Sequence, residues 1–230
     1  FQADNSIFNN AWNSAYGAIN TVNSLIYQFS SIEGADAYEA ELRSIRAFYY
    51  FHLLDMFGNV PLSTDFTDTE TKPNSTRSEV YNFVKSELDA VIPLLSDKKD
   101  ATTYGRMNKW AALAVRMQLQ LNAEVYTGTA QYAGAKADAD EIINSGLYSL
   151  EAVYSDNFKE QNEGSSENIF VVPYDEVFAT GFNWVAMTLH YASQNTFNLT
   201  FQPWNGCATV EEFYSSYVDP STDPGPHGLV

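Results

Sequence analysis

Residues 40–62, AELRSIRAFYYFHLLDMFGNVPL, constrain the fold more tightly than any other stretch of the chain. Leu42, Ile45, Tyr49, Leu53 and Met56 recur at three- and four-residue steps, the period of an amphipathic helix. Arg43 and Arg46 share one side of that helix, and an unbroken aromatic patch, Phe48-Tyr49-Tyr50-Phe51, fills its middle. Gly58 supplies the stop, since glycine suits the left-handed position that follows a helix. Val60-Pro61 then forces extended backbone.

The same logic places the neighbouring helices. Asp4 or Asn5 caps a first helix running to about Ser31. Its apolar stripe is Ile7, Ala11, Ala15, Ile19, Val22 and Ile26, with Phe8, Trp12 and Tyr16 alongside. Glu33-Gly34 turns the chain into the helix of residues 40–57, so the two form an antiparallel hairpin. After a polar loop from Ser63 to Ser75, Thr76 and Glu79 read as a capping box. The third helix then turns Val80, Phe83, Val84, Leu88, Val91 and Leu95 inward, and Pro93 ends its last turn. Asn108 opens a fourth helix over Lys109–Tyr126, and a fifth runs from about Ala130 to Asn144, stopped by Gly146. Helix pairs joined by short turns predict a mainly α fold, built as hairpins of tetratricopeptide-like repeats over residues 1–146. Residues 147–230 read as a loop-rich region with a few short strands, at 148–150 and 169–172. An aromatic and Asn-rich stretch from Phe178 to Trp204 shows little period, and a last short helix is expected over Glu211–Tyr217.

Composition narrows the partners. With 15 Tyr, 15 Phe and 4 Trp, some rings must lie at the surface, where flat faces invite stacking. Sugars and nucleic-acid bases both stack, and charge separates them. A net charge of −17 repels a phosphate backbone and an anionic membrane surface alike, whereas a neutral oligosaccharide feels no penalty. The lone Cys207 excludes an internal disulfide and a multi-cysteine zinc site, and is expected to be a small buried filler. His52, His190 and His227 have no metal-binding spacing, and the acidic loop Asp65–Glu70 lacks the calcium-hand pattern. No metal or cofactor is therefore expected. The acid pairs Glu39/Glu41, Asp138/Asp140 and Glu211/Glu212 read as solvated helix faces rather than a glycosidase pair, so no enzymatic activity is expected. Helix aromatics such as Trp12, Phe48, Tyr49 and Trp110 read as core. Phe182, Trp184, Tyr191 and Trp204 fall in irregular segments and are the candidate stacking rings.

Several segments, in order along the chain, resemble one family. Trp12-Asn13-Ser14-Ala15-Tyr16 with Ile19-Asn20 and Asn23 resembles its early helix, and residues 40–62 resemble its signature helix. Gly105 to Ala114, ADEIINSGLYSL at 139–150, and Ser166-Glu167-Asn168-Ile169-Phe170 are similar to three further family segments. Trp204-Asn205-Gly206 with Glu212-Phe213 and Tyr217 resembles a segment near the glycan site of members closest to the starch-binding prototype. The family is SusD/RagB, the lipid-anchored glycan-binding proteins of the Bacteroidetes surface.

That resemblance implies a helical-repeat scaffold that captures extracellular oligosaccharide or polysaccharide, starch or another α-glucan included. It implies hand-over to a SusC-like TonB-dependent transporter, without bond cleavage. It carries Trp204 and Asn205 over as ligand contacts, and Phe1 with Asp4 as a second arm. Family members are much longer and carry a lipobox cysteine, so the lipid anchor at the outer membrane belongs to a parent protein rather than to this chain. The expected D-x-R motif after the last helix is replaced by Asp219-Pro220-Ser221-Thr222-Asp223. Two rivals remain open on sequence: a helical-repeat adaptor that binds a protein through surface aromatics, and a glycosidase fragment.

Overall fold

The computed structural model describes residues 5–175, 177–181, 184–208 and 210–212. Among them the chain is mainly helical: α1 Ser6–Phe29, α2 Asp36–Phe57, α3 Arg77–Val91, α4 Lys109–Leu121, α5 Ala123–Thr127, α6 Tyr132–Asn144, α7 Trp184–Thr188 and α8 Ser193–Phe197. Short 3-10 turns cover Ile92–Leu94 and Tyr154–Phe158, and a two-stranded antiparallel ladder pairs β1 Val60–Pro61 with β2 Asn74–Ser75. Two compact units result. One comprises Phe1–Ala152 with Glu163–Val171, the other Val153–Asn162 with Val172–Val230.

In the first unit, consecutive helices pack antiparallel. The Trp12 ring meets Phe57 edge-on at 5.2 Å while Phe29 meets Tyr38 at 6.0 Å, so the start of α1 lies beside the end of α2. Tyr50 of α2 meets Phe83 of α3, and Arg43 reaches Glu87, which sets the second antiparallel pair. Lys109 with Glu141 and Arg116 with Asp138 do the same for α4 and α6. Four boundaries have a local cause. Asn5 caps α1 through the Ile7 amide, and Thr76 and Glu79 form a reciprocal capping box on α3. Asn108 accepts from the Ala111 amide to open α4. Gly58 closes α2 at φ +77°, where a Cβ would lie 2.5 Å from Arg77 Nε.

The core runs through this unit: Ile19, Ala47, Tyr50, Leu53, Leu54, Val60, Val80, Val84, Leu88, Val91, Leu113 and Leu119 are buried. The face α2 buries differs from the expected stripe. Met56 is 52% exposed, while Ala40, Ser44, Ala47, Tyr50, Phe51, Leu53 and Leu54 are buried, because α2 is gripped by α1 on one side and α3 on the other. Ile7, expected inside, is 73% exposed, since the first turns of α1 run past the packed part of the hairpin. The expected single helix over Lys109–Tyr126 is two. Asn122, at φ −94° and ψ 9°, breaks it, and Gly128 in the left-handed region caps the second piece.

A buried polar clamp ties the helices together. Glu87 of α3 accepts from Arg43 at 2.7 Å and from Arg46 at 2.6 Å. Arg46 also donates to Asn23 Oδ1 of α1 and to the Thr64 carbonyl. Burial acts to raise the Glu87 carboxyl, but the hydrogen bonds and charges of both guanidiniums outweigh it and hold it below the usual carboxylate range. Asp138, expected on a solvated face, is buried instead. It accepts two bonds from Arg116 and one from Gln120, so its charge is paired across the α4–α6 seam.

The strands expected at 148–150 and 169–172 do not form. Among the described residues one backbone bond, Ser149 N–H to the Ser166 carbonyl, joins the first stretch to the residues before the second, and carboxylates take the place of a ladder there. Glu151 accepts from the Ser166 amide at 2.5 Å, and Glu167 accepts from the Glu151 amide at 2.8 Å. The strand pair forms instead where Val60-Pro61 is extended.

Candidate functional site

The second unit carries the candidate stacking rings. Helix α7 spans a single turn or so, so almost all its backbone carbonyls lack intrahelical partners. The segment 204–207 bonds to two of them, those of Ala186 and Met187, and to the Leu189 carbonyl just beyond the helix. Trp204 N–H donates to the Ala186 carbonyl at 2.6 Å, Asn205 N–H to the Leu189 carbonyl at 3.0 Å, and Gly206 and Cys207 N–H to the Met187 carbonyl at 2.7 and 3.2 Å. This strap needs Asn205 at φ +51°, a conformation asparagine tolerates better than most residues. Glycine at 206 suits the close approach, since a Cβ there would lie 2.4 Å from Met187 Sδ and 3.2 Å from the Met187 carbonyl oxygen. Ala186 and Pro203 are buried and anchor the contact.

The strap therefore holds the backbone of 204–207 against that of 186–189, residues well separated in sequence. Trp204 is bonded two residues from Trp184, and Asn205 two residues from Tyr191. Trp184 is 66% exposed, Trp204 56% and Tyr191 53%, so each offers ring surface to a ligand. The Asn205 side-chain amide makes no hydrogen bond among the described residues and has both a donor and an acceptor to offer. Trp184 stands at the first position of α7, and α8 covers Ser193–Phe197, so the stretch expected to be irregular holds two short helices. Phe1, Asp4 and Phe182 lie outside the described residues. Cys207, expected buried, is exposed, because the strap's backbone rather than its side chains packs on α7.

Two groups escaped the sequence reading. The His190 ring sits 4.0 Å from the Tyr191 ring, and its Nδ1 accepts from the Ala192 amide, which leaves the neutral imidazole a donor at Nε2. Phe178 is 93% exposed on a turn built by Asp175, whose Oδ1 accepts from the Val177 and Phe178 amides. Those bonds hold the Asp175 carboxyl below its ordinary value. An Asp three residues before an exposed aromatic, with Gly181 beyond, was the available signal for that turn. No group of three or more His, Cys, Asp or Glu arranged to hold a metal ion occurs among the described residues.

Fold and site together define a helical-hairpin scaffold joined to a unit that displays aromatic rings beside amide and imidazole donors. A SusD-like family model, described as "Starch-binding associating with outer membrane", matches residues 1–121. The chain belongs to this family. It is 33% identical over 135 residues to the starch-binding protein SusD of Bacteroides thetaiotaomicron, covering 57% of this chain and 24% of that protein. Surface glycan-binding protein A of the same organism, solved in complex with laminarihexaose, is 26% identical with a TM-score of 0.75, over 90% of this chain and 46% of that one. A SusD-like carbohydrate-binding protein of Bacteroides fragilis, at 23% identity, shares the fold over 99% of this chain and 45% of its own, with a TM-score of 0.78. The chain thus spans well under half the length of the curated relatives it matches, from 24% to 36%.

Proposed function

We propose that this chain belongs to a surface protein that captures a neutral glucan at the Trp184–Tyr191–Trp204 face and releases it unchanged. Pyranose rings present a face of C–H groups, which suits the flat indole and phenol rings, while Asn205 and His190 Nε2 meet the hydroxyls. The observation that carries this reading is the strap of 204–207 on α7, in a unit where Trp184, Tyr191 and Trp204 are all exposed. Support also comes from the relatives: one is named for starch binding and one was solved with laminarihexaose. The net charge of −17 favours a neutral ligand over an anionic one.

In this reading the protein works at the outer membrane's extracellular face, held by a lipid anchor, and passes the glycan to a SusC-like TonB-dependent transporter. No bond is broken. Affinity electrophoresis in gels containing starch or laminarin tests the reading. Retardation without release of reducing sugar is the expected outcome. Migration unaffected by either glucan contradicts it, and release of reducing sugar favours a glycosidase.

A further inference from the structure

The first unit holds a cleft that the stacking face does not use. Residues 96–108 loop between the Ile92–Leu94 turn and α4, and the segment 163–171 lies beside them. Lys99 ties the two, donating to the carbonyls of Leu147 and Ser166 at 3.2 and 3.1 Å, with its ammonium 4.2 Å from the centre of the Tyr148 ring. Between them opens a cleft of about 440 Å3 lined by Lys99, Asp100, Tyr104, Glu163 and Ser165. A narrower chamber of about 50 Å3 shares those residues and reaches Tyr148 and Asn108.

The lining has the makings of a ligand site: a stacking ring and convergent polar groups in a concave, sufficiently large space. Tyr104 is 41% exposed. Asp100 uses Oδ1 to accept from the Thr102 amide and hydroxyl, and its second oxygen takes no hydrogen bond among the described residues. The Glu163 carboxylate makes no hydrogen bond or ion pair among the described residues. At the back, the Tyr148 hydroxyl is buried, and although the Asn108 side chain lies beside it, no hydrogen bond of acceptable geometry forms. A buried hydroxyl without a partner is costly, and the narrower chamber that Tyr148 helps line is the space from which a polar atom can approach it.

We propose that this cleft is a second carbohydrate subsite, in which a neutral sugar residue stacks on Tyr104, gives hydroxyls to Asp100 and Glu163, and reaches the Tyr148 hydroxyl. Two carboxylates beside one ammonium already held by carbonyls disfavour an anion. A purely apolar ligand would desolvate the carboxylates with nothing in return. A polyol with an apolar face satisfies both demands. The choice of a neutral sugar rests on the function proposed above, whereas the cleft itself does not.

Amide NMR titration of the intact protein with glucose, maltohexaose and laminarihexaose separates the two sites. Gly105 and Gly164 report on the cleft, the indole N–H signals of Trp184 and Trp204 on the stacking face. The expected result is saturable movement of both sets, with the Gly105 and Gly164 response surviving Trp204→Ala. Tyr104→Ala weakens the cleft about 10-fold, the worth of one stacked ring, and Tyr104→Phe preserves it. Tyr148→Phe lowers sugar affinity at the cleft while leaving the unfolding midpoint unchanged or raised, which a purely structural tyrosine would not do. Indole movement with still glycine signals overturns the cleft and leaves the stacking face standing. Glycine movement that vanishes in Trp204→Ala also overturns the cleft. Failure of both sets to respond to any of the sugars overturns both sites.

Discussion

Replacing Glu87 by glutamine tests the clamp on which the scaffold depends. The substitution keeps the shape and removes the charge that two guanidiniums share. Glu87 is 10% exposed at its side chain, Arg46 7% and Arg43 27%. Breaking a buried ion pair from one side costs about 3–5 kcal/mol, because the remaining charge stays uncompensated. Here Arg43 regains water through its open side, and Arg46 keeps Asn23 and the Thr64 carbonyl, so the lower end, about 3 kcal/mol, is expected. A glutamine NH2 facing guanidinium donors adds to the loss rather than relieving it. Urea denaturation at pH 7 measures the effect as a lowered midpoint at unchanged slope. The sign with pH follows from the lowered carboxyl. The clamp contributes fully above the ordinary glutamate value of 4.5 and loses its contribution as pH falls through the lower folded value. Wild type and Glu87→Gln therefore converge only below about pH 4.5. A loss under about 1 kcal/mol at pH 7, the worth of a surface pair, or a gap that persists unchanged in acid, refutes the reasoning.

Three further outcomes follow from local geometry. Gly58→Ala forces a side chain into a positive-φ position with its Cβ 2.5 Å from Arg77 Nε, and is expected to cost about 1–3 kcal/mol in the same denaturation experiment. Thr76→Ala removes one half of the α3 capping box and costs about 1 kcal/mol; a neutral result would show that α3 starts without its cap. Gly206→Ala pushes on the Met187 side chain and on the carbonyl that receives the strap, 3.2 Å away. It is expected to lower glucan affinity in calorimetry with little change in the scaffold's unfolding midpoint, and equal loss of both would contradict a local role.

The scaffold was largely legible because its helices announce themselves through period and caps. Thr76 with Glu79, Asn108 before Lys109, Gly58 and Gly146 are local signals, and local signals survive the absence of tertiary information. The buried face of α2 was not legible in the same way. A helix packed on two sides buries nearly all around, so period alone selected Met56 and passed over Ala40 and Ala47. Asp138 looked solvated because its partners, Arg116 and Gln120, lie on another helix. The missing strands reflect carboxylates doing the pairing that backbone usually does, and no propensity scale reports that. In the second unit the exposed rings at Trp184, Tyr191 and Trp204 were readable as types. The backbone contact between 204–207 and 186–189 was not, since it rests on amide donors reaching carbonyls at and just beyond the end of a very short helix. Phe178 and His190 were missed for related reasons: an Asx turn displays one, and a neighbouring tyrosine gives the other a use.

Calorimetric titration of wild type, Trp204→Ala and Trp204→Phe with maltohexaose and laminarihexaose tests the central claim most directly. The account predicts saturable binding to at least one of the two glucans and a loss of about 10-fold or more for Trp204→Ala, on the scale of one stacked ring. Trp204→Phe should fall between the two. Unchanged affinity in Trp204→Ala would contradict the stacking face, and no heat from wild type with either glucan would contradict the proposed function.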